Sequence, residues 1–86
     1  MKVLIPTPLR SYTDEQAIVE VGGNSVGEAL REMEQRCPGF RFRIVDEQDG
    51  IRPHIRIFVN NNLARDLGAA TQPADTIHII CALSGG

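Results

Sequence analysis

The chain has 86 residues, 42% of them hydrophobic and 23% charged, with nine Lys+Arg against eleven Asp+Glu and a formal net charge of −2. These values exclude a disordered chain and fit one small domain. They also exclude a nucleic-acid binder, because no basic run is available to track phosphates; the Arg41, Arg43, Arg52, Arg56 group is interrupted by Asp46, Glu47 and Asp49.

The N-terminal "MKVLIPTPLR" predicts a first strand over Lys2–Ile5, stopped by Pro6 and Pro8, which cannot donate to a ladder. The apolar run is too short for a secretory leader, and no stretch approaches the ~20 apolar residues of a membrane helix. The expectation is a soluble, cytoplasmic protein with no membrane partner. "TPLRSYTDEQ" reads as a polar turn region. A second strand is expected at about Ala17–Val21, close enough to form a hairpin with the first.

Gly22-Gly23 then breaks the strand. Ser25 and Glu28 have capping-box spacing, in which the hydroxyl accepts from the Glu28 amide and the Glu28 carboxylate reaches back. Val26, Ala29, Leu30, Met33 and Cys37 recur at helical spacing, and Pro38-Gly39 ends the pattern. One amphipathic helix is predicted over 25–36. Although Gly22-Gly23 opens this helix, it is no phosphate loop, lacking both G-x-G-x-x-G and the P-loop lysine.

Phe40, Phe42 and Ile44 alternate with arginines, which suggests a short strand or an extended loop before the Asp49-Gly50 turn. Residues 54–60, "HIRIFVN", form a clear strand. "NNNLARDLG" reads as a tight turn with a short connection, and "TQPAD" as another turn. Residues 76–82, "TIHIICA", form the last strand.

One helix has one apolar stripe to bury. The fold class is therefore α+β, a mixed four- to five-stranded sheet with the main helix on one face. Alternation puts Ile55, Ile57, Val59, Ile77, Ile79 and Cys81 under the helix with Val3 and Ile5. The other face carries Phe58, Ile80 and Leu4 next to His78 and Arg56. An apolar set there, uncovered by a second layer, is a candidate partner surface.

Catalytic and metal signals are weak. Cys37 and Cys81 are too few for a disulfide scaffold and read as small buried thiols in a reduced compartment. With His54 and His78 they lack zinc-ligand spacing, and the histidines read as exposed strand residues. No Ser/His/Asp or Cys/His arrangement can be placed. What stands out is the end of the sequence, "ALSGG".

That ending and the element order resemble the ubiquitin-like sulfur-carrier family, which includes the small subunit of molybdopterin synthase and the thiamine-pathway sulfur carrier. "RIFVNN" resembles the family's apolar strand ending in Val-Asn. "TQPADTIHIICALSGG" resembles its closing pattern, with Asp75 opening the last strand. "VLIPTPLR" resembles most nearly the carriers of cysteine biosynthesis. Molybdopterin-synthase subunits often approach Gly-Gly through prolines, whereas here the approach is Cys81-Ala82-Leu83-Ser84.

The resemblance implies a β-grasp (ubiquitin-like) domain over 1–82, its first and last strands adjacent in mid-sheet, and a flexible tail over 83–86. It implies that an E1-like, ATP-dependent activating enzyme adenylates the Gly86 carboxylate and that sulfur then replaces AMP, leaving a thiocarboxylate. The chain would be a protein cosubstrate and not an enzyme, with no cofactor or metal of its own. Its partners would be the adenylating or sulfurtransferase enzyme, a sulfur-acceptor enzyme and a metalloprotease that trims residues beyond Gly86. Gly85 and Gly86 lack Cβ and suit threading into a narrow channel. Five extended residues reach roughly 17 Å, so Leu83 and Ser84 would contact that channel while Phe58 and Ile80 dock outside. The acceptor pathway implied is cysteine or a sulfur-containing metabolite, with molybdopterin next. Two other readings stay open: a modifier joined to lysines through Gly86, and an interaction domain whose Gly-Gly is a frayed end.

Overall fold

In the computed structural model, which describes residues 1–82, five strands form one mixed sheet. They are β1 (Lys2–Leu4), β2 (Ile18–Glu20), β3 (Ile55–Val59), β4 (Asn62–Ala64) and β5 (Thr76–Cys81), in the order β2-β1-β5-β3-β4. The first and last strands pair in parallel, Val3 opposite Ile77. Every other pair is antiparallel. This is the β-grasp arrangement. Single backbone bonds carry the β1–β2 pairing past the strand ends: the Ile5 amide donates to the Ala17 carbonyl and that of Val21 to the Met1 carbonyl.

Helix α1 (Val26–Arg36) crosses the sheet as expected. Val26, Ala29, Leu30 and Met33 are buried against Val3, Ile5, Ile55, Ile57, Ile77 and Ile79. The Ser25 hydroxyl accepts from the Glu28 amide at 3.2 Å. The returning Glu28 carboxylate takes the amide of Asn24 at 2.8 Å, one residue before the expected partner. The amides of Val26 and Gly27 are spent on the carbonyls of Ala69 and Leu67. The helix start is thus closed by its own chain, which agrees with the absence of a phosphate-loop motif. Gly23 is required here: its φ is +128°, and a Cβ would come within 3.0 Å of Ala29 N and Glu28 Cβ.

Three segments differ from expectation. Phe40–Ile44 is a second short helix, α2, and neither a strand nor an extended loop. Phe40 and Ile44 are both fully buried while Phe42 between them is 58% exposed. Five residues with apolar positions one, three and five fit either period, and the i, i+4 pair decided for the helix. The Glu34 carboxylate fixes its start by accepting from the amides of Gly39 and Arg41 at 2.8 and 2.9 Å. The polar region after Pro6 is a 3-10 helix (Thr7–Thr13) that buries Leu9 and Thr13. The connection after Asn60 contains the edge strand β4, with Asn60 itself at φ 56° in the turn.

Both sequence motifs singled out around the last strand meet at one place. Asn60 Nδ2 donates to Asp75 Oδ1 at 3.0 Å, and Asn60 Oδ1 accepts from the Thr76 amide at 3.0 Å. Asp75 Oδ2 accepts from the Gln72 amide at 2.8 Å. This clasp fixes where β5 begins relative to β3. Asn60 and Gln72 together hold the Asp75 carboxyl below the usual aspartate range, the Asn60 amide being the larger cause.

Candidate functional site

The register of the sheet decides what its uncovered face presents. Ile18 pairs with Leu4, Leu4 with His78, His78 with Phe58, and Phe58 with Leu63. Paired residues point to the same side, so these five form one row across all five strands. Ile80, opposite Arg56, begins the next row toward the end of β5. Ile18, Leu63 and Ile80 are 50%, 45% and 47% exposed. Phe58, Leu4 and His78 are half-buried.

Phe58 and Ile80 are therefore diagonal neighbours on the open face, and the structure brings them together. With His78, Asn60 and Asn61 they line one shallow depression. Ile18 and Leu63 were missed from the sequence. Ile18 lies in a short edge strand whose apolar residues run consecutively, so alternation alone gave its face little weight. Leu63 lies in the segment read as a connection. Only the register shows that both extend the Phe58 row.

Strand β5 holds the chain to the sheet as far as Ala82, whose amide donates to the His54 carbonyl at 2.8 Å. The candidate tail residues Leu83, Ser84, Gly85 and Gly86 lie outside the described residues. The chain enters that segment at the β5 end of the sheet, next to the Ile80 row.

Around Ala82 a second depression is lined by Leu9, Tyr12, Arg43, His54 and Cys81. Arg43 Nε donates to the Tyr12 hydroxyl at 2.6 Å. Cys37 and Cys81 are both free and only half-buried, where full burial was expected. Partial burial still pushes the Cys81 thiol above its ordinary value, so little thiolate forms at neutral pH. Among the described residues no group of three His, Cys, Asp or Glu side chains could hold a metal. Nor is any helix there long and apolar enough to cross a membrane.

Comparison with known proteins agrees with this geometry. The ThiS family matches residues 3–86. The sulfur carrier protein CysO of Mycobacterium tuberculosis is 30% identical over 89 residues, covering 98% of this chain and 96% of its own. Among solved structures, a chain of the Amycolatopsis orientalis BexX/CysO complex superposes with a TM-score of 0.93 at 34% identity, over 99% of this chain and 98% of that one. SAMP1 of Haloferax volcanii superposes with a TM-score of 0.77 at 25% identity, over 99% and 97%. The chain thus belongs to the ThiS family and is a β-grasp sulfur carrier of the ThiS/CysO type.

Proposed function

We propose that the chain carries sulfur as a thiocarboxylate on Gly86. The supporting observation is a Gly-Gly sequence three and four residues beyond Ala82, the last of the described residues bonded to the sheet, in a chain of the sulfur-carrier family. Residues 1–82 serve as the handle and 83–86 as the delivered segment.

A terminal carboxyl group ionises at a pKa of about 3.3–3.7 and is a poor electrophile at neutral pH. An adenylating enzyme of the E1-like class overcomes this. A Gly86 carboxylate oxygen attacks the α-phosphate of ATP, forming an acyl-adenylate and releasing pyrophosphate. A sulfide or persulfide sulfur then attacks the acyl carbon and AMP leaves. A persulfide-derived intermediate is released by a thiol reductant. The thiocarboxylate sulfur is next the nucleophile toward the acceptor. ATP is consumed in the partner's site, and the carrier supplies one reacting group and a docking face.

Gly85 and Gly86 allow entry, Leu83 and Ser84 line the path, and Phe58 and Ile80 dock outside. Where residues follow Gly86 in a precursor, a metalloprotease exposes the carboxylate. The reaction belongs to the cytoplasm. Similarity to CysO supports cysteine or a related sulfur metabolite as the destination of the sulfur, ahead of molybdopterin.

The test is the intact mass of the chain after incubation with ATP, sulfide and its adenylating enzyme. Replacement of one oxygen by sulfur is expected, and an unchanged mass overturns the proposal. The likeness to SAMP1 favours one second reading, in which the same adenylate passes to lysine amines. Isopeptide-linked Gly86 recovered from cell proteins, in place of thiocarboxylate, would establish that reading.

A further inference from the structure

The end of the open face next to β4 carries a charge pattern that the tail chemistry does not use. The β3–β4 register pairs Ile57 with Ala64. Just past that pair, Arg56 and Arg65 line one groove. Like charges gathered in one groove repel, and an anion between them relieves the repulsion. Arg52 closes the same groove, which has a volume of about 260 Å³ and is completed by Ile51, Pro53 and Leu63.

No carboxylate among the described residues forms an ion pair with these three arginines. Among the described residues the only ion pairs are Arg36 with Glu32 and Arg41 with Asp49. Arg52 is the smallest of the influences on Asp46, whose Oδ1 accepts from the amides of Gly50 and Gln48 at 2.9 and 2.8 Å. Backbone carbonyls and an aromatic ring hold two of the guanidinium groups. Arg52 Nε donates to the Phe42 carbonyl at 2.8 Å, its guanidinium 4.5 Å from the Phe42 ring centre. Arg56 Nη1 donates to the carbonyls of Pro53 and Ile55 at 2.7 and 3.0 Å. Arg65 makes no side-chain hydrogen bond among the described residues. The remaining donors suit bidentate acceptance by carboxylates.

We propose that Arg52, Arg56 and Arg65 form a docking groove for an acidic segment of the adenylating enzyme. Two features select a protein carboxylate over a nucleic-acid phosphate. The chain as a whole is acidic, with net charge −2. The groove is also continuous with the apolar face, since Arg56 pairs with Ile80 and Leu63 lines both. In naming the enzyme, the inference rests on the sulfur-carrier reading of Gly86; the recognition of carboxylates does not.

Two measurements separate these layers. In the first, the full chain is titrated with a polyglutamate peptide while backbone amides are followed by NMR. Saturable shifts confined to residues 51–56 and 63–65 are expected, weakening with salt and absent in Arg56→Gln/Arg65→Gln. Both side chains are exposed, so that variant should melt within a few degrees of the parent, and lost binding is not lost folding. Shifts that persist in it overturn the groove, as does tighter binding of a short single-stranded DNA at the same residues. In the second, Arg56→Glu/Arg65→Glu should raise the carrier KM in ATP–pyrophosphate exchange roughly tenfold, the size of one lost charged contact. A chain lacking Gly85 and Gly86 should still compete through the groove, whereas its charge-reversed form should not. An unchanged KM overturns the enzyme as occupant. A parent chain that is never adenylated sinks the sulfur reading, and the peptide titration still decides the groove.

Discussion

The two faces of the sheet are built by the same strands and differ in almost every other respect. In β3, Ile55, Ile57 and Val59 point under α1 and are all buried, while Arg56 and Phe58 point the other way. In β5, Ile77 and Ile79 go inward, and His78 and Ile80 outward. The inner face is covered by one helix and gains stability by excluding water. The outer face keeps a mostly apolar row with no layer over it among the described residues. Apolar residues there add little to folding and remain available to a partner. Inner positions should therefore report on stability and outer positions on recognition.

The largest effect should come from the inner face. Ile57→Ala removes a fully buried side chain and should cost about 2–5 kcal/mol. At roughly 4–8 °C per kcal/mol for a domain of this size, thermal unfolding should show it plainly. Phe58→Ala, one residue away on the half-buried outer side, should cost about 1 kcal/mol from the area it covers. Equal losses at 57 and 58 would break the division between faces. Next comes Ser25→Ala, which leaves the Glu28 amide without its hydroxyl acceptor and should cost about 1 kcal/mol. Urea denaturation should show a lower midpoint with an unchanged slope.

Much of this division is legible in the sequence. Alternation along 54–60 and 76–82 sorted Ile55, Ile57, Ile77 and Ile79 from Phe58 and Ile80, because strand side chains have a period of two. Capping chemistry at Ser25 and Glu28 located α1. Less legible was anything set by distant partners. Helix α2 depends on Glu34, six residues before Phe40, meeting the amides of Gly39 and Arg41. Strand β4 exists because β3 offers it an edge, and its three residues carry little pattern of their own. The Ile18–Leu63 row depends on register, which is a property of strand pairs, and the groove shared by Arg56 and Arg65 depends on how β4 lies against β3. The clasp is half legible: Asn60 and Asp75 stand out by resemblance, and their contact with each other comes only from the fold.

That clasp predicts a pH effect smaller than the core substitutions. Asp75 has its carboxyl pKa lowered in the folded state by Asn60 and Gln72, and Asp46 by Gly50 and Gln48. Between the folded and unfolded pKa values the folded state binds fewer protons than the unfolded one. Their contribution to stability is therefore complete above the ordinary aspartate value of about 3.9. It disappears as pH falls through the lower folded value. Asp75→Asn should lower stability at neutral pH and leave it unchanged at strongly acid pH, so its profile through the acid range should be flatter. A profile parallel to that of the parent would show that the clasp contributes nothing through its charge.

The smallest stability effect, and the sharpest test of the two faces, is expected at Leu63 and Ile18. Each stands on an edge strand with about half its surface in water. Replacing either by Ser removes apolar area that is already largely hydrated, so stability should change by no more than ~0.5 kcal/mol. If the row from Ile18 to Leu63 meets the adenylating enzyme, affinity should fall although the fold is untouched. The loss should be greater at Leu63, which also lines the arginine groove, than at Ile18 on the opposite edge. Equal affinity for both variants and the parent would confine the contact to the middle of the sheet, at Phe58, His78 and Ile80. A large drop in melting temperature at either edge would instead mean that the outer row supports the fold, and the separation of stability from recognition would fail there.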